Sequence, residues 1–218
     1  QDAIDAVGAE ETEIDLVRKI TILSTADPVV IPEGKKINLD LNGYVIDANN
    51  KDSITNNGTL TITDSKAIDE CNSYIQSATT NMILNIGTLN ILRTKLVTLG
   101  NMSTIINNGN INITGKVEIA NTSTTANSNV NIIINNSNST LTVENSKISM
   151  SNKAYSTIIS NKENAVVNIS NSTITAMNGR AVTNDGTLTI NNKTKIDAYD
   201  TTSLYNNATG EMTIEDST

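Results

Sequence analysis

The phrase TNDGTLTI (183–190) returns along the chain as TNNGTLTI (55–62), LNIGTLNI (84–91) and INNGNINI (106–113). A motif that keeps recurring restricts the chain to folds made by stacking copies of one small unit. Anchored on the last residue of the phrase, the units fall at Ile62, Ile91, Ile113, Val143, Ile169, Ile190 and Ile214, with gaps of 29, 22, 30, 26, 21 and 24 residues. An elastic period within roughly 20–50 residues is the signature of a solenoid, in which each unit buries its apolar face only against its neighbours.

The element inside the unit is a strand. Apolar residues alternate in TLTI, so Leu60 and Ile62 face one way and Thr59 and Thr61 the other. The inward pairs are Leu60/Ile62, Leu89/Ile91, Ile111/Ile113, Leu141/Val143, Val167/Ile169, Leu188/Ile190 and Met212/Ile214, all apolar. Upstream of each stands an asparagine: Asn56, Asn85, Asn107, Asn135, Asn161, Asn184 and Asn206, each with an apolar residue two places before it. The connection from asparagine to strand comes in two lengths, a two-residue corner ending in Gly or a four-residue one such as NSNS (136–139). Glycine is expected there to supply the positive φ of a tight corner. Five or six residues after each of the first six anchors an apolar residue returns, at Ile68, Leu96, Ile119, Ile148, Ile174 and Ile196, marking a third short strand. Insertions collect in one connection, as at 69–81 and 120–131.

Three strands and three corners per unit make one turn of a parallel β-helix. The expectation is a single all-β domain over 1–218, a right-handed parallel β-helix of about eight coils. Residues 1–36 would hold an N-terminal cap and first strands, with DAIDAVG (2–8) as a short cap helix, and 37–218 the repeated coils. Leu39 and Leu41 are read as the equivalents of Leu60 and Ile62. Stacked identical asparagines would hydrogen-bond from coil to coil, forming a ladder that satisfies a buried corner. The C-terminal coil stops one strand in, which is expected to leave an edge for further coils or another copy.

Composition supports a solenoid over an ordinary core. The chain has 34 Asn and 31 Thr, five Tyr, and no Trp, Phe or His. A net charge of −8 with scattered Lys and Arg argues against nucleic-acid binding. Cys71 is alone, so no intramolecular disulfide forms. No apolar run approaches the roughly 20 residues of a membrane span, so no membrane insertion is expected. No leader is recognisable, so either one has been removed or the sequence is part of a longer chain.

The phrase VVIPEGKKINLDLNGYVI (29–46), followed by repeated NNGTLTI units, resembles pectate-lyase-like β-helix domains of bacterial surface proteins. The resemblance implies a right-handed β-helix in a secreted or wall-attached protein, an adhesin or a repetitive stalk, without catalysis or cofactor.

The residues agree with a non-catalytic reading. Polygalacturonase chemistry needs a histidine, and none is present. Calcium-dependent lyases need an acidic cluster beside an arginine, and Arg18, Arg93 and Arg180 lie beside none in the sequence. Asp197 and Asp200 read as a solvated loop. The outward face of the TLTI strands is a candidate ligand face, with Thr59, Thr61, Thr88, Thr140, Thr142, Thr187, Thr189 and Thr213. Its Thr-x-Thr rungs resemble ice-binding β-solenoids, although threonine also suits any exposed strand. Tyr74, Tyr155 and Tyr199, read as lying in the long connections, are candidate glycan contacts. The expected function is an extracellular bacterial surface module, adhesin or stalk, with a host or cell-surface glycan or protein as partner and end-to-end self-association. Ice binding, or polysaccharide binding and cleavage, are the alternatives.

Overall fold

The computed structural model describes residues 1–8, 10–22, 26–48, 54–67, 73–77, 81–123, 130–151, 156–199 and 202–218. Its described strands form three sheets of nine, eight and eight strands in a solenoid of about seven turns, roughly the expected coil number. Successive strands in the chain belong to successive sheets, and neighbours within each sheet are one coil apart. One turn runs through Asn110–Thr114, Glu118–Asn121 and Asn131–Asn135. Every pairing among the described residues is parallel. The result is an all-β, right-handed solenoid with almost no helix.

The register shows why alternation in the sequence becomes burial. Leu60 pairs with Leu89, Leu89 with Ile111, Ile111 with Leu141, Leu141 with Val167 and Val167 with Leu188. These residues and their partners two places on are at most 1% exposed. Stacking like on like lets aliphatic side chains fill a narrow interior that has no room for bulky rings. At the C-terminal end Ile214 is 49% exposed and Met212 half-buried.

Two register expectations change. The strand Lys36–Asp40 pairs Ile37 with Leu60 and Leu39 with Ile62, so Ile37 and Leu39, not Leu39 and Leu41, are the anchor equivalents. Leu41 is instead fully buried just past the strand, where its N–H donates to Thr63 O. In the second sheet, Leu96 pairs with Ile75. Ile75 therefore occupies the place assigned to Ile68, which lies outside the described residues, and part of the supposed insertion at 69–81 is strand Tyr74–Ser77. Elsewhere the longest gaps do fall between second-sheet and third-sheet strands, such as Asn121 to Asn131 and Ile22 to Val29.

Glycine at the two-residue corners has a different job from the one expected. Only Gly34, Gly43 and Gly115 have positive φ. At Gly58, Gly87, Gly109 and Gly186 the requirement is space, because a Cβ there would sit well inside 3.0 Å of backbone carbonyls of the preceding coil. Positive φ is found in the four-residue corners, at Asn138 and Asn164, where a short polar side chain tolerates it. The corner between the first and second sheets also uses it, at Arg93, Lys116, Asn145 and Asn171.

The N-terminal end is closed by the helix Asp2–Asp5, with Ile4 turned into the core. Gln1 imitates a strand: its amide accepts from Val30 N–H at 2.9 Å and donates to Val30 O at 3.2 Å. Lys35 Nζ donates to Ile4 O and Asp5 O, satisfying carbonyls at the helix end. Between this cap and the first coils the core is not filled. A pocket of about 130 Å³ lies there, walled by aliphatic side chains.

Candidate functional site

The asparagine column is a continuous ladder. Nδ2 of each asparagine donates to Oδ1 of the next: Asn56 to Asn85 at 2.7 Å, then to Asn107, Asn135, Asn161, Asn184 and Asn206 at 2.7–2.9 Å. The first six are fully buried. Each amide also meets backbone. Asn107 Nδ2 donates to Gly109 O and Thr140 O, and its Oδ1 accepts from Gly109 N–H. Because all the amides point the same way, one acceptor is left over at the N-terminal end. Ile31 stands opposite Asn56 in the preceding coil, and Asn56 Oδ1 is buried without a partner. At the other end Asn206 is exposed, and its Nδ2 turns back to Gly210 O. The ladder is structural, holding the corner shared by the coils from Asn56 to Asn206.

Neighbouring amides in the corner are also tied. Asn136 Nδ2 donates to Asn108 Oδ1 at 2.7 Å, and Gly109 N–H is held by Asn107 Oδ1. Deamidation at an Asn-Gly pair needs the glycine nitrogen to attack the asparagine side-chain carbonyl, which this geometry hinders. Asn108 is expected to deamidate much more slowly in the folded protein than after denaturation, as read by peptide mapping over weeks. Equal rates in the two states would show a mobile corner.

The threonine-rich face is where the sequence placed it, on the outside of the nine-stranded sheet. Thr59 and Thr61 align with Thr88 and Asn90, then with Asn110 and Asn112, then with Thr140 and Thr142. Val166 and Asn168 follow, then Thr187 and Thr189, then Glu211 and Thr213. Complete Thr-x-Thr rungs are thus never adjacent. Several side chains bond to each other: Asn90 Nδ2 donates to Thr61 Oγ1, and Asn112 Nδ2 to Asn90 Oδ1.

The tyrosines are not brought together. Tyr74 begins a strand in the second sheet and pairs with Lys95, so it does not lie in a long connection. Tyr199 follows the eighth strand of that sheet and is 64% exposed. Five rungs separate them, about 24 Å at ~4.8 Å each. Tyr155 lies outside the described residues. Sequence reasoning passed over Tyr205, over whose ring the Arg180 guanidinium stacks at 4.3 Å. It also passed over an outward apolar stripe on the third sheet, Leu84, Ile106 and Ile134, in register on three successive coils. Both were legible as period-two neighbours of the inward residues.

The fold assembles one acidic group that the sequence keeps apart. Carboxylates of Glu13, Asp15 and Asp40 lie within 4.8 Å of one another. Asp40 is buried and already used: its Oδ1 accepts N–H groups from Asn42 at 2.8 Å and Ser65 at 2.9 Å. Burial raises its pKa, but the Ser65 hydroxyl, the two N–H groups and the charge of Arg93 outweigh this and hold it below 3.8. Among the described residues Asp197 is ion-paired with Lys195 at 2.8 Å, while Asp200 lies outside them.

A carboxyl with a depressed folded pKa stabilises above its unfolded value and loses that contribution as pH falls through the folded one. Acid titration of the unfolding midpoint should therefore show a decline below about pH 4 that is smaller in Asp40→Asn. Parallel curves for the two proteins would mean Asp40 contributes nothing to it.

No protein-family model, curated protein or solved structure matches the chain.

Proposed function

We propose that the chain is a non-catalytic extracellular module of a bacterial surface protein, an adhesin domain or stalk related to the pectate-lyase-like β-helices. The observation that supports this most is the uninterrupted register of three parallel sheets with an amide ladder through six fully buried asparagines. Such a rod gains length by adding like coils and transmits load through backbone hydrogen bonds. Its variable connections gather at the corner between the second and third sheets, where a binding edge can change without disturbing the coil. A host or cell-surface glycan or protein would meet that edge. The C-terminal end, where inward Met212 and Ile214 are accessible, would take a further coil or a second copy.

Antibody against the folded domain is expected to label intact cells of the producing organism. Labelling only after lysis would overturn the surface assignment. Release of unsaturated oligosaccharides from acidic polysaccharide with calcium would overturn the non-catalytic one. The ice-binding alternative gains nothing from the face geometry, since its threonine rungs are separated and several of its amides are engaged with their neighbours.

A further inference from the structure

Among the described residues the inward columns are fully buried through the middle coils and less so near the cap. Ile111, Ile113, Leu141 and Val143 are fully buried, whereas Ile14 and Leu39, in the same inward columns near the cap, remain half-buried. The space beside them is the half-enclosed pocket of about 130 Å³, with Ile4 of the cap helix above and Ile37 and Leu60 below. Every side chain lining it is aliphatic except Gln1, whose amide is committed to the Val30 backbone. We propose that this pocket is a binding site for a small hydrocarbon group, the end of an aliphatic ligand no larger than about a benzene ring.

The chemistry follows from the walls. They offer no charge to orient a polar head, so the inserted part of the ligand must be apolar, and any polar part stays at the mouth. Its walls are apolar, and closed engineered cavities of about 150 Å³ with walls of this chemistry take up benzene and xenon. The volume here is slightly smaller, which excludes long or branched groups. Binding would fill the space between Ile4 and the first coils, so the ligand would tie the cap to them.

The test uses the folded protein with benzene and xenon as probes. Methyl resonances of Ile14, Leu39 and Ile37 are expected to shift and saturate, while those of Ile113 and Val143 stay fixed. Benzene at several times its Kd should raise the unfolding midpoint by roughly 2–4 °C. Leu39→Phe, which fills the pocket, should abolish both effects. If that variant does not fold, the methyl map of the unaltered protein decides alone. No shift with either probe, shifts spread evenly along the solenoid, or shifts that persist in folded Leu39→Phe would each overturn the proposal.

Discussion

Asn107→Leu is expected to destabilise the protein by roughly 2–4 kcal/mol, because it leaves one buried and one part-buried group without partners, at about 1–3 kcal/mol for the buried one and less for the other. Leucine can occupy the space but can neither accept nor donate. Asn135 Oδ1 loses its donor from the coil before, and Gly109 N–H loses its acceptor. Asn85 Nδ2 suffers less, since it keeps Gly87 O and Asn110 O. Two comparisons isolate the ladder. Asn206→Leu acts on an exposed rung at its end, where the amide can be replaced by water, and should cost much less. Asn138→Asp changes an exposed positive-φ residue for another that tolerates that conformation, and should fall within about 0.5 kcal/mol. Denaturant midpoints for the three variants give the ranking. Equal losses at 107, 206 and 138 would remove the ladder from the account of stability.

Gly109→Ala should be as damaging as the ladder variant, at about 3 kcal/mol or more, despite adding one methyl group. The added carbon would press on Gly87 O and Ile86 O, which are main-chain atoms of the coil before. A flexible side chain could swing aside, but these carbonyls are fixed by the sheets on either side. Ile86 N–H and Gly87 N–H both bond to Asn56 O, and Thr88 N–H to Gly58 O. Relief therefore requires adjacent coils to separate, which would weaken the amide contacts between Asn85 and Asn107 as well. Gly8→Ala meets nothing within 4 Å and should be close to neutral. Urea unfolding of the pair is the measurement. A Gly109→Ala variant as stable as Gly8→Ala would mean the corners can spread.

The two results share a cause that bears on what was legible beforehand. Strand identity, the inward residues from Leu60 to Ile190 and the asparagine column could be read directly, because period-two alternation and a repeated corner phrase are local patterns. Stacking identical units turns a local pattern into a tertiary one, so an amide repeated in sequence becomes an amide bonded to its copy. That is why a ladder could be drawn from one chain with no contact known.

What depends on how far one coil lies from the next could not be read in this way. Glycine at 87 and 109 was expected to serve φ and instead serves close approach, since the φ of a corner and the gap to the coil above are separate quantities. The slip at Leu39 and Leu41 came from a first coil that lacks the asparagine phrase, where Ile31 stands in its place. Side-chain sites proved least legible. The meeting of Asp40 with Glu13 and Asp15, the stacking of Arg180 on Tyr205 and the unfilled space beneath Ile4 each join residues from different coils or from the cap. Sequence alone determined the repeat, its strands and its inward residues, because each is encoded within one unit. The tertiary structure decided everything set by the contact between units: register at the irregular first coil, the role of the corner glycines, and which side chains meet.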